Sequence, residues 1–168
     1  MLFFQKAAHR LVKMLHPPNY IYRIRERVRR WNLDGVEARI GAIIHRRLNI
    51  LPSLVAPRVT SAVFSTLWNR WCTPRRLQMR HLSENTCLLG CGGHAEDSIE
   101  HYARCKCVRR VADKYLALEG KLQINMEHFM LTADILVDDD ILTCVSILVY
   151  ATFMATNTIR AEGTHPMA

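Results

Sequence analysis

The sequence predicts a mainly α-helical domain that carries one small Cys/Cys/His/Cys loop-helix module. Three observations lead to this fold class. Apolar residues recur at helical spacing over most of the 168 residues, prolines and glycines fall where helices begin or end, and no stretch alternates polar and apolar residues as a strand does. Four Cys and His residues are also grouped in one short segment near the middle of the chain.

The predicted helices follow one another with short connections. One apolar stripe at helical spacing consists of Val36, Ile40, Ile43, Ile44, Leu48 and Leu51, and Arg39, Arg46 and Arg47 lie off it. Pro52 and Pro57 are expected to bracket a connection, with Pro57 in the first turn of a helix over residues 58–71. The apolar run 141–156 is interrupted by polar residues such as Thr143, Ser146 and Thr152, which favours a buried helix over a membrane span. The acidic run 138–140 before it suits an N-terminal cap.

The grouped Cys and His residues have the spacing of metal ligands. Three residues separate Cys87 from Cys91, and three separate His101 from Cys105. A compact Cys pair supplies two ligands from one turn, while residues four apart lie above one another on a helix. Three thiolates and one imidazole form a closed tetrahedral set of the type that holds structural zinc. The sequence therefore predicts a structural Zn²⁺ site at these four residues.

The residues around the four ligands favour the same interpretation. A chain that turns around a metal often needs backbone angles that glycine reaches at low cost, and three glycines stand here: Gly90, Gly92 and Gly93. Asp97 and Glu100 match a capping box, which predicts a helix that begins near Ser98 and ends at Gly120.

Alternatives to this ligand set stay open at the level of sequence. The cysteines can be small buried core residues or members of a disulfide framework, although they are clustered rather than spread. Cys107 can compete with Cys105, and His94 can replace His101 if the loop folds differently.

Positive charge is concentrated before the Cys/His segment. Residues 1–80 carry 16 Lys and Arg against 3 Asp and Glu, whereas residues 81–168 carry 7 against 12. This asymmetry predicts that the first half binds RNA or DNA, with an anionic membrane surface or a merely solvated arginine-rich face as alternatives. The candidate nucleic-acid-binding residues are Arg70, Arg75, Arg76 and Arg80. Trp68 and Trp71, in the same stretch, either stack on bases or belong to the core.

A second basic patch and the opening segment complete the charge pattern. The patch consists of Arg23, Arg25, Arg27, Arg29 and Arg30 with Trp31, and its spacing covers several helix faces, as a solvated surface does. Residues 1–18 have apolar positions interrupted by cations and lack the core of a secretory signal. We therefore expect an intracellular protein, nuclear or cytoplasmic and not secreted, with no membrane partner.

The segment from Pro57 to Arg110 resembles the region downstream of the reverse transcriptase domain in open reading frames of non-LTR retrotransposons. The matching stretches are residues 57–59, 67–78, 87–93 and 96–105. In that family a Cys/Cys/His/Cys zinc module follows the polymerase and helps to bind template RNA or target DNA. The resemblance implies the ligands Cys87, Cys91, His101 and Cys105, and the rest of a polymerase polyprotein as a further partner.

Departures from the family pattern imply a non-catalytic fragment rather than an enzyme. The polymerase Tyr-X-Asp-Asp turn is absent, since residues 137–140 read Val-Asp-Asp-Asp. The endonuclease of some related elements needs Pro-Asp and a later Asp/Glu-X-Lys, for which residues 119–121 are the only near match. The resulting division is a basic connection region with the polymerase thumb as its origin (1–56), a basic helix with the zinc module (57–120) and a C-terminal helical region (121–168). A protein-interaction scaffold and an endonuclease remnant are the alternative functions.

Overall fold

The computed structural model describes residues 19–29, 31, 33, 39–77, 86–92, 95–116 and 123–162. The helices there are α1 Asn19–Arg29, α2 Ile40–Leu54, α3 Pro57–Leu67, α4 Pro74–Leu77, α5 Ile99–Tyr102, α6 Lys106–Leu116, α7 Met126–Phe129 and α8 Asp139–Glu162, with a 3₁₀ helix at Asp134–Val137. No strand forms among these residues, and one isolated antiparallel bridge joins Thr86 to Glu96. The mainly α-helical fold class is confirmed.

Helix α8 is the element around which the others pack. It contacts α2, α3, α6, α7 and the 3₁₀ helix, while α1 packs on α2. The buried hydroxyls of Ser146, Thr152 and Thr156 each donate to a carbonyl four residues earlier in the same helix, which satisfies these polar groups inside the core. Asp138 accepts two backbone N–H groups at the start of α8, as predicted for the acidic run. By length and composition alone α8 could cross a membrane.

Two predicted helix boundaries around α3 are wrong. Pro52 lies inside α2 rather than in a connection, because a proline near the end of a helix removes only one hydrogen bond. Pro57 does begin α3, as expected. This helix ends at Leu67 instead of Trp71, since Asn69 has a φ of +50° and reverses the chain. The reversal places Trp71 back against α3.

The apolar stripe of α2 forms part of the core, and one residue outside the stripe, Arg47, is buried with it. Ile40, Ile44, Leu48 and Leu51 are buried, whereas Ile43 is exposed. Arg47 is buried as well, and its guanidinium donates to the carbonyl oxygen of Leu131 at 2.6 Å. That carbonyl follows the end of α7, where backbone oxygens lack helical partners, so a buried arginine satisfies it. Burial lowers the pKa of Arg47.

Candidate metal centre

The four predicted ligand residues meet at one point of the fold. The three sulfurs and one ring nitrogen of Cys87, Cys91, Cys105 and His101 all lie within 4.8 Å of one another. Cys87 Sγ is 3.8 Å from Cys105 Sγ, and Cys91 Sγ is 3.4 Å from His101 Nε2. A tetrahedral ion with bonds of about 2.3 Å to sulfur and about 2.0 Å to nitrogen requires separations of about 3.8 Å and about 3.5 Å. These two separations therefore match those of a metal coordination sphere.

The alternative uses of these cysteines fit the geometry less well. A disulfide requires sulfurs about 2.05 Å apart, and the described cysteines are free thiols. Cys87, Cys91 and Cys105 are buried, as core cysteines would be. Packing alone, however, does not bring an imidazole nitrogen and three sulfurs together. The four side chains are thus close enough to one another to hold a metal ion.

The first ligand pair stands on a tight turn that glycine makes possible. Gly90 donates its N–H to the carbonyl of Cys87 at 3.1 Å, and Gly90 and Gly92 have φ angles of +64° and +70°. Only glycine adopts such left-handed angles readily. The hydrogen bond with Cys105 and burial raise the pKa of Cys87, and the backbone N–H groups of Leu89 and Cys91 at its sulfur partly oppose that rise. Gly93 and His94 lie outside the described residues.

The second ligand pair does not share one helix face: His101 lies on α5, and Cys105 lies outside both helices. Ser98, not Asp97, caps α5, because its hydroxyl oxygen accepts the N–H of His101 at 3.1 Å. Helix α5 lasts one turn, and Cys105 stands immediately before α6. The prediction of one helix from Ser98 to Gly120 is therefore wrong in its middle, and Gly120 lies outside the described residues.

The break between α5 and α6 has a chemical consequence for Cys105. As the residue before a helix, it receives the backbone N–H groups of Cys107 and Val108 at its sulfur. A thiolate is stabilised at a helix N-terminus, where N–H groups are free and the dipole is positive. The hydrogen bond from the Cys87 thiol is the main cause of the lowered pKa of Cys105, and it raises the pKa of Cys87, since the pair shares one proton. A bound metal cation would displace that proton.

Cys107, the rival ligand, is not part of the four-residue group. Its side chain is half-buried, and burial is the main cause of its raised pKa. Its thiol interacts with Cys105, so it lies beside the four-residue group without belonging to it.

Asp97 has a role that the capping pattern did not reveal. Its carboxylate is buried and accepts the Tyr102 hydroxyl at 2.7 Å and the Arg160 guanidinium at 2.7 and 3.0 Å. The Tyr102 oxygen in turn accepts the N–H of Leu88 at 3.4 Å. Burial raises the pKa of Tyr102, and the hydrogen bond to Asp97 adds to this effect. This network connects the turn that carries Cys87 and Cys91, hereafter the metal loop, to α5 and to the end of α8.

The candidate nucleic-acid-binding residues are only partly described. Arg70 and Arg76 are exposed, and Arg76 also donates to the carbonyl of Trp71 at 3.4 Å. The side chain of Arg75 and all of Arg80 lie outside the described part of the chain. Residues 74–77 form the one-turn helix α4.

The two tryptophans of this stretch differ in exposure. Trp71 is fully buried between Tyr102 and Phe153, with ring centroids 5.8 and 5.5 Å away, and so belongs to the core. Its indole N–H donates to the hydroxyl of Thr66 at 2.9 Å. Trp68 is half-buried against Phe64. Stacking of a base on Trp71 is therefore excluded.

Comparison with known proteins adds no relative. No protein-family model, curated protein or solved structure matches this chain.

Proposed function

We propose that this protein is a non-catalytic module in which a structural zinc ion holds together a helical surface that binds RNA or DNA. The observation that carries the proposal is the closed Cys₃His group, whose donor atoms all lie within 4.8 Å of one another. Three thiolates and an imidazole suit Zn²⁺. Four protein ligands leave no position for an activated water, so the ion would be structural.

The zinc ion would join three pieces of chain. Cys87 and Cys91 stand on the turn, His101 on α5, and Cys105 at the start of α6. In small zinc modules the apparent binding free energy of the metal is about 10–16 kcal/mol near neutral pH, and it serves as folding free energy. Bound zinc would thus fix the direction in which α6 leaves the turn.

Charge supports a nucleic-acid partner. The chain has a net charge of +8 at pH 7, and the surplus lies in residues 1–80. Arg70 and Arg76 present exposed guanidinium groups on the segment that leads to the metal loop. Such groups form paired hydrogen bonds with phosphate oxygens. Binding would be mainly to the backbone, with little sequence preference.

The resemblance of residues 57–110 to the region after a retrotransposon reverse transcriptase agrees with this function. On that basis we propose that the chain derives from such a polyprotein, that it lacks polymerase and nuclease activity, and that the remaining polymerase is a further partner. An intracellular location, in the nucleus or the cytoplasm, follows from the same proposal.

The test is a salt titration of nucleic-acid binding by fluorescence anisotropy. The zinc-loaded wild-type protein is compared with R70Q/R76Q and with the control R39Q/R46Q, in which two other exposed arginines are changed. Because each lost phosphate contact reduces the log–log salt slope by about 0.7 on single strands, we expect R70Q/R76Q to lower the slope by about 1.4 and the control to keep it. Wild-type protein that does not bind, or binds independently of salt, would contradict the proposal and favour a protein-interaction scaffold. Zinc content should be equal in all three proteins.

A further inference from the structure

Helix α6 exposes a row of cations directly after the metal centre. The exposed basic residues are Lys106, Arg109, Arg110 and Lys114 on α6 and Arg104 just before it. These five residues are hereafter called the α6 cation face. Asp113 is the only acidic residue between positions 104 and 114. Dividing the chain at residue 80 conceals this face, because the second half as a whole is negative.

Lys106, Arg110 and Lys114 lie opposite the side of α6 that faces the core, and Arg109 lies on its flank. Val108 and Ala112 are buried, and α6 packs against α8. Lys106, Arg110 and Lys114 follow one another at intervals of four residues, so they form one row on the outer side. With a rise of about 1.5 Å per residue, this row is about 12 Å long. Several phosphates of a nucleic-acid strand can lie along that distance.

These positive charges have no carboxylate partner within the described ranges. No Asp or Glu oxygen there lies within 4.0 Å of Arg104, Lys106, Arg109 or Arg110. The Lys114 ammonium lies 5.0 Å from the centre of the Tyr115 ring, an attraction that leaves its charge in place. Like charges four residues apart destabilise a helix. An anionic partner would remove that repulsion.

We infer that the α6 cation face binds the phosphate backbone of RNA or DNA and that the metal centre holds this face in position. The inference rests on the proposed nucleic-acid binding and assigns its main surface to α6. Cys105 precedes α6 directly, and the Lys106 ammonium is 3.7 Å from the place that a Cβ on Gly92 would occupy. The cations therefore begin beside the metal loop, and the metal centre fixes the start of α6, the helix that carries them.

The composition of α6 favours phosphate groups of a nucleic acid over a lipid surface. A helix that lies in a membrane interface needs a continuous apolar face to insert. The apolar residues Val108 and Ala112 are buried inside the protein, and Val111 and Tyr115 are the exposed apolar and aromatic side chains of α6. Tyr115 is 68% exposed, so its ring is available to an unpaired base at the end of the row.

The experiment measures binding of the full zinc-loaded chain to a 20-nucleotide RNA and to a 20-base-pair DNA duplex by fluorescence anisotropy. The variant is R109Q/R110Q, and the control R39Q/R46Q removes the same charge from two other exposed arginines. Two lost phosphate contacts lower the duplex salt slope by about 1.8, which corresponds to roughly 30-fold weaker binding at 0.15 M salt. We expect that loss in R109Q/R110Q and less than a threefold change in the control. A second variant, K106Q/K114Q, should show a similar loss, and zinc content and circular dichroism verify that each variant is folded.

Each other outcome overturns the inference in a distinguishable way. If R70Q/R76Q weakens binding while both α6 variants bind like the wild type, the proposed function stands and the α6 assignment falls. An equal loss in the control also refutes the assignment, since net charge alone would explain it. Wild-type protein without salt-dependent binding refutes the proposed function itself. If the protein binds vesicles that contain phosphatidylserine more tightly than nucleic acid, and R109Q/R110Q abolishes that binding, the partner of the α6 cation face is a membrane and the inference is refuted.

Discussion

Replacement of Arg160 by Met should destabilise the fold and weaken the metal centre together. Arg160 stands in the last turn of α8 and is the charged partner of Asp97, which lies on the metal-binding segment 63 positions earlier. The side chain of Asp97 is 3% exposed, whereas that of Arg160 is 19% exposed. In the variant the buried Asp97 carboxylate would lose its arginine. Among the described side chains, the Tyr102 hydroxyl would then be its hydrogen-bond donor.

The expected loss can be worked out from this geometry. Removing one partner of a buried ion pair costs about 3–5 kcal/mol. Because the arginine is partly exposed, water can reach the vacated position, so the lower end, about 3 kcal/mol, is expected. In a protein of this size that corresponds to a decrease in Tm of about 6–12 °C. Changing Asp97 to Asn as well should recover about 2 kcal/mol, since the unpaired charge is then absent.

Urea unfolding of the zinc-loaded proteins measures these quantities as a double-mutant cycle. R46M, at an exposed arginine of α2, serves as the control and should change the free energy of unfolding by less than about 0.5 kcal/mol. Competition with a chelator should show weaker zinc binding by R160M, because Asp97 and Tyr102 support the loop through Leu88. A cost no larger than that of R46M, or strictly additive effects in the cycle, would refute the reasoning.

Three further predictions concern single buried groups. Thr66→Val removes the acceptor of the buried Trp71 indole N–H and should cost about 1–3 kcal/mol in urea unfolding, whereas an unchanged midpoint would show that the hydrogen bond contributes nothing. Arg47→Met leaves a backbone carbonyl oxygen without its donor and should cost a similar amount, about 1–3 kcal/mol, while R46M remains near zero in the same assay. Burial lowers the pKa of His128 below its ordinary 6.5, so the unfolded chain binds more protons below that pH and stability must fall as the pH drops through about 6.5. His128→Leu should remove that part of the pH dependence, and an identical profile for both proteins would contradict it.

The metal-binding group could be predicted from sequence because its parts are close together in the chain. All four residues lie between positions 87 and 105, and ligand spacing, glycines and a nearby helix start are local signals. The angles of Gly90 and Gly92 confirm the glycine argument. The stripe on α2 and the cap of α8 are equally local: the cap is confirmed, and four residues of the stripe are buried while Ile43 is exposed and Val36 lies outside the described residues.

The features that sequence reasoning missed depend on partners far along the chain. Arg47 and Leu131 are 84 positions apart, and Asp97 and Arg160 are 63 apart. Periodicity cannot indicate which distant carbonyl or carboxylate a buried arginine will reach. Asp97 matched a capping box, yet Ser98 took the capping position and left the carboxylate free to enter the core.

The break between α5 and α6 was missed for a different reason. Apolar spacing continues through residues 99–112, so the pattern predicts one helix. Two short helices satisfy the same spacing and also bring the Cys105 sulfur to a helix start.

The central claim, that Cys87, Cys91, His101 and Cys105 hold one zinc ion, is tested most directly by native mass spectrometry of the wild type, C105S and C107S. The account predicts one zinc per chain in the wild type, none in C105S, and one in C107S. A folded wild-type protein without zinc, or a zinc ion that is kept by C105S and lost by C107S, would contradict it.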